Sequence, residues 1–153
     1  MKKVTLLMSL MLMSGIVTTS FAQKVKYKDI FPLLEKKKYD EAEPLLQRYL
    51  ERDADNPNAV LYMGIVKMNK YQKMQTTDAT VANAAREDAV RYLTKAKELV
   101  DEWEVSKNEK YYVYYKRRNL RSGEMEVSVS DIRLDIDNRL RKLKGEKSED
   151  GTE

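Results

Sequence analysis

Residues 38–57 read KYDEAEPLLQRYLERDADNP. Ala42, Leu45, Leu46, Tyr49 and Leu50 fall at offsets 0, +3, +4, +7 and +8, which puts one apolar stripe on an α-helix. Asp40 is placed to cap that helix, and Glu43, three residues on, completes a capping box. Pro44 then falls in the first turn, where its missing N–H matters least. The stripe fades near Arg52, ahead of Asp53–Pro57. So short an amphipathic helix is stable only when its apolar face is packed, so the flanking sequence must supply the partners.

It does so on both sides. Upstream, Tyr27, Ile30, Phe31 and Leu34 have helical spacing, and Pro32 places the start near Asp29. Downstream, Asn56 caps and Pro57 opens a helix with Leu61, Ile65, Met68 and Tyr71 on one side. Gly64 in its middle costs about 1 kcal/mol against Ala, which points to a close approach by another helix. Residues 75–83 read as a polar connector, and helix resumes at 84 with Ala85, Ala89, Tyr92, Leu93, Ala96, Leu99, Val100 and Trp103 as its stripe. Ser106 and Glu109 form a second capping box, which opens a helix running to Ser122-Gly123. Met125, Val127 and Val129 alternate and suit extended chain. Asp131 can cap a last helix carrying Ile132, Ile136, Leu140 and Leu143, although Ile132, Leu134 and Ile136 also fit a strand. The polar run 145–153 is expected to be disordered. The expected fold is all-α, with about six short helices.

Particular positions in this pattern resemble the tetratricopeptide repeat family. Tyr39 to Ala42 resembles the family's Y-x-x-A entry to the second helix of a repeat, with Leu46 and Tyr49 at the packing positions that follow, Tyr49 being bulkier than the family's usual Ala. Met63-Gly64 stands where the family has L-G, Ala89, Leu93 and Ala96 resemble A-x-x-x-F-x-x-A, and Asp55–Ala59 resembles the proline-marked junction between repeats. The resemblance implies repeats at roughly 24–55 and 56–103, followed by a C-terminal helical pair at 107–144, stacked as a short solenoid. It also implies that the first helix of each repeat lines a concave binding face, which would turn Asn58, Tyr62, Ile65 and Asn69 toward a ligand.

The N-terminus is expected to send this scaffold out of the cytoplasm. Lys2 and Lys3 precede an apolar stretch from Leu6 to Val17, and Ser20 and Ala22 are small residues before a cut at Gln23. That stretch is too short for a spanning helix, so residues 1–22 read as a signal peptide and no integral membrane segment is expected after cleavage. Removing 22 of 153 residues leaves 131, one domain's worth, and takes two Lys away, so the formal charge falls from +4 to +2. The chain has no His and no Cys, which removes Ser-His-Asp and Cys-His nucleophiles, disulfides and nearly all zinc sites. Neither a catalytic set nor a cofactor or metal site is expected; Asp131, Asp135 and Asp137 read as capping and solvated residues.

Residues 111–121, YYVYYKRRNLR, are the strongest local signal for a surface. On a helix, Tyr111, Tyr114, Tyr115 and Arg118 share one side. Export makes nucleic acid a poor partner, and Tyr and Arg are enriched at protein interface hot spots. The stripe is either such a surface or a set of rings packed on neighbouring helices. The functional expectation is a periplasmic or secreted, non-enzymatic adaptor that binds a peptide or protein of the cell envelope. A carboxylate-dependent wall hydrolase and a self-associating structural subunit are the alternatives.

Overall fold

The structure, a computed structural model, describes residues 24–145. The signal-peptide reading of 1–22 and the tail reading beyond Gly145 fall outside these residues. Among the described residues six α-helices carry the fold: α1 (Tyr27–Glu35), α2 (Tyr39–Leu50), α3 (Pro57–Met74), α4 (Ala79–Leu99), α5 (Glu102–Asn108) and α6 (Val129–Lys144). A two-stranded hairpin, β1 (Lys116–Arg118) with β2 (Met125–Val127), precedes α6. Consecutive helices pack side by side, α1 on α2, α2 on α3, α3 on α4 and then α4 on α6. Among the described residues no helix is long and apolar enough to cross a membrane.

α1 begins two residues before the expected cap at Asp29, because Tyr27 belongs to the core. Its ring centroid lies 5.2 Å from that of Tyr49 and 4.9 Å from that of Tyr111, and its hydroxyl donates to Asn58. Pro32 therefore sits inside the helix, but on its exposed side, where water can serve the carbonyl it leaves without a donor. The capping box expected at α2 does not form. Asp40 lies within the first turn and pairs with Lys73 at 3.0 Å, while Glu43 pairs with Lys67 at 2.8 Å. Both carboxylates reach across to α3 instead of back to their own backbone. The stripe of α2 is buried at Ala42, Leu46 and Leu50, with Leu45 and Tyr49 at its margin.

α3 starts as expected, with the Asn56 side chain accepting from the Ala59 N–H at 3.0 Å and Pro57 at the first position. α4 starts five residues earlier than expected. Asp78 caps it by accepting from the Val81 N–H at 3.0 Å, and this start adds buried Ala82 to the small-residue face already read at Ala85, Ala89 and Ala96. Those small residues let α3 come close. A Cβ on Gly64 would lie 2.7 Å from Leu93 Cγ and 3.1 Å from the Leu93 backbone nitrogen, so Gly64 marks the expected helix contact.

The stretch after α4 departs most from expectation. α4 ends at Leu99, and Asp101 caps a new helix by accepting from the Glu104 N–H at 2.8 Å. The phase of the stripe is lost there, so Trp103 is 69% exposed and Val105 is buried instead. Ser106 lies inside α5 and caps nothing, which removes the second capping box. The tyrosine run does not form a helix. It makes two single turns of 3-10 helix, Glu109–Tyr111 and Val113–Tyr115, and then enters β1. Tyr and Val are weak helix formers and good strand formers, so the run has little reason to extend α5. Ser128, not Asp131, caps α6 by accepting from the Asp131 N–H, and the open choice for 125–137 divides at that cap, strand before and helix after. Ile132, Ile136 and Leu143 are buried against α4, with Leu140 partly so, and Gly145 ends the helix at φ +76°.

Candidate functional site

Residues Tyr62, Ile65, Asn69 and Gln72 follow one another along a single face of α3. That face looks into a groove of about 550 Å³ bounded by the α1–α2 turn, the tyrosine segment and α6. Tyr62, Ile65, Met68 and Tyr115 are its buried members, and Tyr39 and Tyr114 are the more open aromatic walls. Lys37, Arg117 and Lys142 supply positive charge around it, and Asn69, Gln72 and Asn138 supply amides. The Tyr114 hydroxyl donates to the Glu35 carbonyl at 2.5 Å, which ties this wall to the end of α1 while leaving the ring 44% exposed.

Asp135 is the most constrained charge in the groove. It accepts from the Tyr115 hydroxyl and from Arg139 Nε, both at 2.8 Å. Burial alone would weaken the Arg139 proton's hold, but the Asp135 hydrogen bond and charge reverse this and raise its pKa. Burial also pushes the Tyr62 and Tyr115 hydroxyls far above the ordinary tyrosine range, with the Asp135 charge adding to the shift at Tyr115. Tyr39 is raised as well, chiefly by burial. These hydroxyls stay protonated at neutral pH, so they act as hydrogen-bond donors and not as bases. The groove thus presents donors, amides and cations over an apolar floor, a set suited to holding a polar chain.

Of the eight residues expected to face a partner, Tyr62, Ile65, Asn69, Tyr114 and Tyr115 line this groove. Asn58 and Tyr111 do not. Asn58 is 1% exposed; it accepts from the Tyr27 hydroxyl and donates to the Tyr111 carbonyl at 2.9 Å. The Tyr111 ring packs between Tyr27 at 4.9 Å and Phe31 at 5.0 Å. Both residues hold the tyrosine segment onto α1 and α3. Arg118 points away from the groove on β1, and its neighbour Arg117 lines it. The helical face shared by Tyr111, Tyr114, Tyr115 and Arg118 is therefore replaced by a turn-by-turn split between core and groove.

Several lining residues escaped the sequence reading. The polar positions Asp131, Asp135, Asn138, Arg139 and Lys142 follow a helical spacing beside the apolar stripe of α6, but nothing in that spacing says which helix they face. Asp131, Asp135 and Asp137 do not converge. Asp137 leaves the groove to pair with Lys97 at 2.7 Å, and among the described residues no group of three or more carboxylates could hold a metal ion. Glu104 is the buried carboxylate among the described residues, behind the tyrosine segment. Burial raises its pKa, against the hydrogen bonds it accepts from Asn108 at 2.8 Å and the Tyr112 hydroxyl at 3.3 Å.

No family model matches the chain, and neither does any curated protein or solved structure.

Proposed function

We propose that this chain is an exported, non-enzymatic interaction scaffold of the bacterial cell envelope, and that it takes a peptide or protein segment into the groove beside α3. The observation that carries this reading is the groove's composition, in which the aromatic walls of Tyr39 and Tyr114 and the amides of Asn69 and Gln72 stand over the buried side chains of Tyr62, Ile65 and Met68. Such anchors are the residue types that dominate protein interfaces. A tetratricopeptide-like arrangement fits the same features. α1–α2 and α3–α4 are successive hairpins, α1 meets α3 through Phe31 and Tyr62 at 5.7 Å, and Gly64 sits under Leu93. The groove then occupies the inner face of the third helix. Export rests on the signal-peptide character of residues 1–22.

The test uses purified chain as bait in an envelope extract and identifies what it retains. The double replacement Tyr114→Ala with Arg117→Ala is expected to reduce retention of the specific partner at least tenfold, since truncated interface anchors each cost about 2 kcal/mol or more. Melting temperature should change by no more than about 3 °C, because both side chains are exposed. Undiminished retention by the double variant would refute the groove as the binding site.

A further inference from the structure

The groove's charges are unequally committed. Asp135 is spent on Arg139 and Tyr115. Lys37, Arg117 and Lys142 line the same groove, and no carboxylate among the described residues lies within ion-pair distance of any of them. Arg117 has only backbone carbonyls, those of Tyr114 at 3.0 Å and Lys116 at 2.9 Å. Asp131 is the one remaining carboxylate on the lining.

Lys37 carries a second, independent signal. It occupies the left-handed backbone region, at φ +54°, just past the end of α1. Helices commonly place glycine there, because a Cβ is disfavoured in that conformation. A lysine therefore stands at a position where the local backbone favours glycine, and it stands on the groove.

From these observations we infer that the groove takes an acidic, extended peptide segment, with its carboxylates on Lys37, Arg117 and Lys142 and its intervening side chains on the Tyr62–Ile65 floor. The inference rests on the groove being a binding site and names the chemistry of what it binds. An extended strand points alternate side chains the same way about 7 Å apart, so a peptide alternating acidic and apolar residues can turn its carboxylates toward the cations on the groove's walls and its apolar side chains toward the floor. Asn69 and Gln72 remain for its backbone.

The experiment measures fluorescence anisotropy of a labelled decapeptide of alternating Glu and Val against the full chain, beside its Gln–Val counterpart. The Glu peptide should bind at least tenfold tighter, with affinity falling as salt rises, since exposed charge pairs are screened. Lys37→Gly is the diagnostic variant. It should raise the melting temperature by about 3 °C while weakening the Glu peptide about three- to tenfold, a combination that misfolding cannot produce. Arg117→Gln and Lys142→Gln should weaken the peptide to a similar degree, and Lys28→Gln, on the exposed side of α1, should not. Equal binding of the two peptides, or none of the Glu peptide at about 1 mM, would overturn the inference. Preferential binding of polygalacturonate would also overturn it, in favour of an anionic glycan. The outcomes separate from those of the parent reading. Partner retention that depends on Tyr114 and Arg117 without any preference for Glu over Gln removes only the acidic specificity.

Discussion

Leu93→Ala is expected to lower the unfolding free energy by about 2–5 kcal/mol, the range for emptying a filled leucine site in a core. Leu93 is fully buried and packs directly over the Gly64 backbone. Gly64→Ala should also destabilise, although alanine is the better helix former by about 1 kcal/mol. Its new methyl would meet Leu93 Cγ at 2.7 Å, which the side chain could relieve, but also the Leu93 nitrogen at 3.1 Å, which moves only with α4 itself. Overpacking of that kind costs about 1–3 kcal/mol. The two effects should not add. In the double variant the alanine methyl enters space that Leu93 has vacated, so the combined loss should be smaller than the sum, with a coupling of about 1 kcal/mol or more. Urea melts of the four proteins check this. Strict additivity would mean that α3 and α4 do not meet at Gly64.

Asn58→Ala is expected to be nearly as damaging, at about 2–4 kcal/mol, because it strands two groups at once. The Tyr27 hydroxyl would lose its buried acceptor and the part-buried Tyr111 carbonyl its donor, both beside the Tyr27–Phe31–Tyr111 ring cluster. The loss should appear first as faster amide exchange over 109–115, since Asn58 bridges α3 to that segment. If Asn58 served a ligand instead, the same substitution would leave melting unchanged and weaken binding.

These two residues show what the sequence made legible. Gly64 was readable because a glycine inside a strong helical pattern has few causes, and close approach is the commonest of them. The buried stripes of α2 and α6 were readable because helical periodicity reports one buried face directly, whereas α3 is buried on every side from Asn58 to Val66 and its expected stripe of Leu61, Ile65, Met68 and Tyr71 named only part of that. Asn58 was misread because its position on the helix is compatible with both a ligand face and a buried bridge; only the arrival of Tyr27 from α1 and Tyr111 from a distant segment decides between them. The tyrosine run failed for a related reason. Its spacing fits a helix, but Asp101, with Glu104 three residues on, starts α5 early, and the run's Tyr- and Val-rich sequence has little propensity to carry that helix past Asn108. That pair was itself a readable capping signal, and weighing it against Ser106 and Glu109 would have moved the helix start to Glu102. The capping box at α2 was lost differently, to Lys67 and Lys73 on α3, partners that only tertiary packing brings near. A third of the groove's lining lies on α6, whose polar face is evident in sequence but whose neighbour is not.

Photocrosslinking in the native envelope tests the proposed role most directly. A photoreactive amino acid is placed in turn at Asn69, Gln72 and Asn138 within the groove, and at Lys28, Arg48 and Glu98 on exposed surface outside its lining. The groove positions should all trap the same protein, and the three outer positions should trap nothing in common with them. Crosslinks to that protein from Lys28, Arg48 or Glu98, with silence at Asn69 and Asn138, would place the interaction elsewhere and leave the groove without a role.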